Sequence, residues 1–154
     1  MTQTLQYFHH IQIEDRQENL NFNTSSSISN FKDNYFAVSK NKRLKITEYK
    51  NGMAHKIYLY SQKGNLKCLI HCNVGKNNYH IKEIYDYTYQ EKRLKEKRFY
   101  NANNHFLKKE CYKNNQLKSI NYYSNGVPYY VEDFDSHGNL VKSYYYHENG
   151  LKVK

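Results

Sequence analysis

The run YSNGVPYYVEDFDSHGNLVKSYYYHENGL, Tyr123–Leu151, states one phrase three times: an aromatic residue, a polar turn holding Gly or Asn, an aliphatic residue, then a short extended stretch. The copies are YSNGV at Tyr123–Val127, FDSHGNL at Phe134–Leu140 and YHENGL at Tyr146–Leu151. Toward the N-terminus the phrase loosens to YKNNQL at Tyr112–Leu117, YSQKGNL at Tyr60–Leu66 and YKNGM at Tyr49–Met53. The aliphatics that follow the turns fall at Leu44, Met53, Leu66, Ile81, Leu94, Leu107, Leu117, Val127, Leu140 and Leu151. A rhythm of roughly 10 to 13 residues matches one strand plus one turn, so two units make a hairpin.

Asn-Gly is the strongest short hairpin signal because both residues tolerate the left-handed backbone that a tight turn demands. It stands at Asn51-Gly52, Asn125-Gly126 and Asn149-Gly150. In the looser copies Asn replaces Gly, as at Asn103-Asn104 and Asn114-Asn115, and keeps the turn chemistry. Strands are expected at roughly 35–39, 43–49, 55–61, 66–73, 79–89, 94–100, 106–112, 117–123, 128–134 and 140–146. Upstream, Leu5, Tyr7, Ile11 and Ile13 share one parity and predict a strand over 5–13; residues 19–34 are polar turn formers. The basic run at 90–98 has only Leu94 as an apolar position, so it reads as turn and strand rather than helix. The expected fold is all-β: an array of antiparallel β-hairpins forming one elongated, twisted or curved sheet. Residues 1–34 would cap a repeat domain over 35–154, one structural domain in all.

Composition supports a folded chain with little deep interior. Mean hydropathy is −1.04, yet 18 of 154 residues are Tyr, a side chain that packs its ring and leaves its hydroxyl wet. With 6 Gly and 1 Pro this is not a disordered Gly/Pro tract. No stretch approaches the roughly 18 apolar residues that span a bilayer, and no cationic-then-apolar leader opens the chain. Three cysteines without regular spacing do not make a disulfide framework. A reduced, cytoplasmic protein without membrane insertion is the expectation.

The formal net charge is +10. Residues 40–118 hold 19 Lys/Arg against 6 Asp/Glu, a balance of +13, while the segments on either side are slightly acidic. Such a field calls for an acidic partner. Within it, Tyr85, Tyr87, Tyr89, Lys92, Arg93, Lys95, Lys97, Arg98 and Tyr100 interleave rings with cations and are the candidate partner-binding residues. Tyr and Arg anchor protein interfaces; the same pairing suits single-stranded nucleic acid, where bases stack on rings and cations follow phosphates. Solvated lysines on a Tyr-packed sheet would also account for the pattern.

Catalytic chemistry has little footing. Cys68, His71 and Cys72 form the one metal-like cluster, but on a strand the thiols share a face and the imidazole lies opposite. No nucleophile elbow or phosphate loop occurs, and Glu132 and Asp133 face opposite ways on a strand. No metal or cofactor and no enzymatic activity are expected.

The phrases at Tyr123–Val127, Phe134–Tyr146 and Tyr146–Leu151 resemble the MORN-variant repeat, loosely over 44–154 and well over 112–154. FDSHGNL is also similar to the YD repeat of Rhs-type proteins. Both resemblances imply arrays of β-hairpins. The first further implies a bacterial immunity or antitoxin-like protein that binds and blocks a cognate toxin domain. A nucleic-acid-binding module using a basic aromatic face is the alternative. Two departures stand out: copies in 44–111 lack clean Asn-Gly turns apart from Asn51-Gly52, and the family's second Gly, within the strand, is absent.

Overall fold

A strand survives in water only if its neighbour takes up its backbone hydrogen bonds, and here each strand finds that neighbour next in the chain. The computed structural model describes residues 4–17, 33–89 and 91–146. The strands are β1 (Thr4–Phe8), β2 (Tyr35–Lys40), β3 (Leu44–Lys50), β4 (Met53–Tyr60), β5 (Leu66–Val74), β6 (Tyr79–Thr88), β7 (Glu91–Tyr100), β8 (Phe106–Lys113), β9 (Gln116–Ser124), β10 (Val127–Phe134) and β11 (Leu140–Tyr145). They lie in chain order without a crossover, and no helix occurs among the described residues. The fold is the all-β array of antiparallel hairpins that the repeat predicts. The chain divides into two compact units, Met1–Asn73 and Val74–Lys154. The polar segment up to residue 32 and the last copy of the phrase beyond Tyr146 lie outside the described residues.

The repeated phrase has a direct structural meaning. The aromatic before a turn pairs across the hairpin with a residue just after it, Tyr60 with Leu66, Tyr112 with Leu117 and Phe134 with Leu140, and in β6–β7 the like pair, Tyr85 with Leu94, stands three pairs farther from the turn. Beside each of these pairs the register shifts by one residue, leaving Lys67, Lys95, Lys118 and Val141 as the extra residue of a β-bulge. The same shift recurs next to Tyr49, Tyr100 and Tyr123.

Two turn types connect the strands. Tight turns put both central residues at positive φ: Asn51 and Gly52 (53° and 74°), Asn114 and Asn115 (53° and 62°), and Asn125 and Gly126 (52° and 79°). Longer loops open on a side-chain oxygen. Ser61 Oγ accepts from the Asn65 amide at 3.2 Å, Asn101 Oδ1 from His105 at 2.9 Å, and Asp135 Oδ1 from Asn139 at 2.9 Å. Asn101 and Asp135 also take the amide two residues on, at 2.9 Å each. Left-handed Gly64, Asn104 and Gly138 stand at the same place in the three loops. Asn104 thus does the work of a glycine, as its place in the phrase implies.

The apolar interior is concentrated in the first unit. Val38 and Ile46 are fully buried on one face of β2 and β3, beside Leu44, Tyr58, Tyr60 and Leu66. The N-terminal segment reaches this face: Tyr60 Oη donates to the Glu14 carbonyl at 2.9 Å, the Leu66 amide donates to Asp15 O at 2.7 Å, and the Gln17 amide donates to Gly64 O at 3.0 Å. The strand expected over 5–13 is therefore shorter. β1 ends at Phe8, which pairs with Phe36 where β2 runs out, and the chain then turns to the β4–β5 loop. In the second unit only Tyr85, Ile120 and Val131 are buried to a similar degree among the described residues.

Ile46→Ala should cost about 2–5 kcal/mol in chemical denaturation, since a fully buried branched side chain leaves a cavity. The amide of Asn139, followed by that of His137, holds the Asp135 carboxyl below its ordinary pKa. A depressed carboxylate stabilises the fold above its unfolded value and stops doing so as pH falls through the folded one. The melting-temperature gap between the wild type and Asp135→Ala should therefore be constant at neutral pH and close below about pH 4.

Candidate binding surface

The nine candidate residues lie on the hairpin β6–β7 and its turn. Glu83 pairs with Lys97 and Ile84 with Glu96, but Tyr85 pairs with Leu94, so Lys95 is the bulge. Residues paired across strands share a face. The bulge therefore decides which candidates share a face. Tyr85, Tyr87, Lys92 and Lys97 lie on a front face; Arg93, Arg98 and Tyr100 lie on the back. Lys95 stands exposed in the bulge, and Tyr89 occupies the turn. The expected strands 79–89 and 94–100 differ accordingly: β6 stops at Thr88 and β7 begins at Glu91, because Tyr89 turns left-handed with φ of 52°.

On the front face the charge is largely taken up internally. Lys97 lies in register between Glu83 on β6 and Glu110 on β8. Each acid meets a phenol: Tyr85 Oη donates to Glu83, Tyr112 Oη to Glu110 at 2.8 Å, and Tyr122 Oη to Glu132 at 2.7 Å. The lysines lie over rings, Lys92 at 4.7 Å from Tyr85, Lys97 at 6.0 Å from Tyr112, and Lys108 at 4.5 Å from Phe99. Lys108 also approaches Glu110 at 3.6 Å. Burial, then the bond to Glu110, pushes the Tyr112 phenol well above its usual pKa. The Glu132 bond, then burial, pushes Tyr122 up to about 12.

The back face is organised differently. Lys82 on β6 pairs with Arg98 on β7, and Arg98 with Lys109 on β8. These three cations stand directly abreast on adjacent strands. Arg98 Nε donates to Glu96 at 2.9 Å, and Arg93 donates to Asn114 at 2.6 Å and Glu91 at 3.4 Å. Burial opposes the Arg98 charge, but Glu96 and then Tyr100 hold its pKa above the ordinary value. Lys82 and Lys109 make no ion pair or ring contact among the described residues. Beside this row runs a row of rings: His80 pairs with Tyr100, Tyr100 stacks on Phe106 at 5.3 Å, Phe106 stacks on Tyr123 at 4.4 Å, and Tyr123 pairs with Pro128.

Lys82, Lys109, Phe106 and Tyr123 were not among the sequence candidates. The missing signal is the bulge at Leu107, which shifts the parity of β8 relative to β7 and puts Phe106 and Lys109 on one face despite their odd spacing.

The remaining clusters stay apart. Cys68 and Cys72 are buried and in no disulfide; His71 pairs with Lys56 across β4 and β5. Burial raises the Cys72 pKa and so favours its protonated form. Among the described residues no three His, Cys, Asp or Glu converge as metal ligands, and no helix is long and apolar enough to cross a membrane. Comparison of the sequence with protein-family models and with curated proteins returns no match.

A raised phenol pKa stabilises the fold fully below the unfolded tyrosine value and less as pH rises through the folded one. Tyr122 should thus titrate late, and its share of stability should disappear between about pH 10 and 12. Glu132→Gln should return its tyrosinate absorbance transition toward that of the exposed tyrosines.

Proposed function

We propose that the chain is a non-enzymatic protein-binding protein of the bacterial immunity or antitoxin-like kind. It captures an acidic partner in the cytoplasm, a cognate toxin domain, and blocks it by coverage. The observation that carries this reading is Tyr89. The residue is 97% exposed, and its backbone is left-handed at φ 52°. Every other positive-φ residue among those described is Asn or Gly. A tyrosine there costs about 1–2 kcal/mol relative to Gly, and so exposed a residue has little packing among the described residues to offset it.

Asn would make a better turn, so Tyr89 is explained by what it touches outside the chain. Tyr is among the residues that most often anchor interfaces, because a rigid ring buries area at low entropic cost. Around the tip, Tyr87, Lys92 and the exposed bulge Lys95 add apolar and positive surface. The excess of 19 cations over 6 acids in residues 40–118 steers an acidic surface toward it, and a seated Tyr89 slows release. The resemblance of the turn-and-strand phrase to MORN-variant repeats supports the same partner class. Coverage alone then suffices for inhibition, with no chemistry by this chain.

The test pairs stability with binding. Tyr89→Asn should melt at the same temperature as the wild type or higher. It should also weaken the complex with the product of the adjacent reading frame by about thirtyfold or more, the range of a hot-spot residue. It should fail to rescue cells from growth arrest by that product, whereas the wild-type chain rescues them. An adjacent product that is harmless and does not bind, or a Tyr89→Asn chain that rescues as well as the wild type, would contradict the reading.

A further inference from the structure

Three cations abreast on adjacent strands are an unfavourable arrangement. Like charges directly opposite in a sheet repel, and natural sheets alternate sign across such rows. The front face of the same strands follows that rule, with Lys97 between Glu83 and Glu110. The back face breaks it with Lys82, Arg98 and Lys109 in one register line. Glu96 relieves only Arg98, at 2.9 Å. Lys82 and Lys109 remain without a counter-charge among the described residues. The row is therefore complementary to an external anion with more than one charge.

The neighbouring row says what else that anion carries. Tyr100, Phe106 and Tyr123 stack in sequence, at 5.3 and 4.4 Å, with interplanar angles of 26° and 25°. At the end of this stack an open groove of about 420 Å³ is lined by Phe106 and Tyr123 together with Asn101, Asn104, His105 and Asn125. Phe106 and Tyr123 give the groove ring surface, and the side-chain amides of Asn104 and Asn125 give it hydrogen-bonding groups, whereas Asn101 is engaged by the amides of Asn103 and His105 and by the His105 ring. Those groups suit a flat heterocycle with hydrogen-bonding edges. On β7 the ring row and the cation row are separated by two residues, about 7 Å along the strand. A sugar spans that distance between a base and its phosphate.

We infer that the back face of β6–β9 is a binding site for single-stranded nucleic acid, with Lys82, Arg98 and Lys109 holding consecutive phosphates and the groove beside Phe106 and Tyr123 holding a base. This site is distinct from the β6–β7 tip, and it stands or falls without the protein partner proposed above. Duplex is excluded by the same geometry, because paired bases offer neither a free face to Tyr123 nor a free edge to the asparagines.

The experiment uses the full chain and a labelled oligothymidylate of about 12 nucleotides, followed by fluorescence anisotropy, with a duplex of equal length as the control. Three phosphate contacts give a salt slope near −2, so affinity for the single strand should fall about twentyfold between roughly 50 and 200 mM salt. Lys82→Gln with Lys109→Gln should flatten that slope by about 1.4, since each contact contributes about 0.7. Tyr123→Leu should keep the melting temperature close to the wild type, because its ring is partly exposed, and should lower affinity about tenfold with the slope unchanged. Absence of binding at low salt would overturn the inference. Equal affinity for duplex, or Tyr123→Leu binding as tightly as the wild type, would reduce the site to bare charge and would also overturn it. So would an oligonucleotide that does not bind while the double lysine variant loses an acidic protein partner.

Discussion

Six hairpins in this protein close on one cross-strand pair, the aromatic before the turn against a residue after it, and the other features of the sheet hang from that pair. Tyr60 against Leu66, and less fully Tyr112 against Leu117, bury apolar surface next to the turn, where a short hairpin most needs it, while Leu140 opposite Phe134 stays exposed. Such a pair contributes about 0.2–1 kcal/mol, which is small singly and substantial when repeated. The left-handed Asn and Gly residues let the chain reverse within the space the pair leaves. The extra residue that follows twists the strand and resets which side chains share a face. Turn, pair and bulge are one device, used at the β3–β4, β4–β5, β7–β8, β8–β9, β9–β10 and β10–β11 hairpins, while β6–β7 carries the same pair and bulge three pairs farther from its turn.

The device stabilises the two units to different extents. In the first unit it is supplemented by a buried cluster centred on Val38 and Ile46, with the segment around Glu14–Gln17 hydrogen-bonded against Tyr60, Gly64 and Leu66. In the second unit much of the order comes from the sheet surface itself. Phenol–carboxylate bonds at Tyr112 and Tyr122, lysines over rings, and the stacked rings of Tyr100, Phe106 and Tyr123 replace a deep core. A tyrosine-rich, strongly hydrophilic composition is what such a surface requires, since a ring can pack on a neighbour while its hydroxyl reaches an acid or water.

Turns and strands were legible in the sequence because their chemistry is local. Asn-Gly, Asn-Asn and the Asp135–Asn139 loop each specify a left-handed backbone within a few residues, and the ten strands expected from Tyr35 onward are all present. Faces were not legible. Parity along β7 places Lys95, Lys97 and Phe99 together, but a bulge at Lys95 breaks the alternation, and no residue type announces a bulge in advance. The candidate cluster is therefore sorted differently from plain alternation, with Lys97 joining Tyr85, Tyr87 and Lys92, and Arg98 and Tyr100 joining Arg93. Tyr89 escaped for the opposite reason: a turn without Gly or Asn carries no turn signal, so the expected strand takes it in as its last residue. Both failures fall where the sequence departs from the repeat, and both mark the surfaces to which a binding role is assigned.

The register of β6 against β7 is the point on which the division of faces rests, and cross-strand nuclear Overhauser effects measure it directly. The bulged register places Lys82 opposite Arg98 and Glu83 opposite Lys97, with Tyr85 still opposite Leu94. Contacts between those pairs are the expected result. A regular hairpin would instead bring Lys82 opposite Lys97 and Ile84 opposite Lys95. Contacts of that kind would move Arg98 to the other face, dissolve the row of three cations and contradict the account.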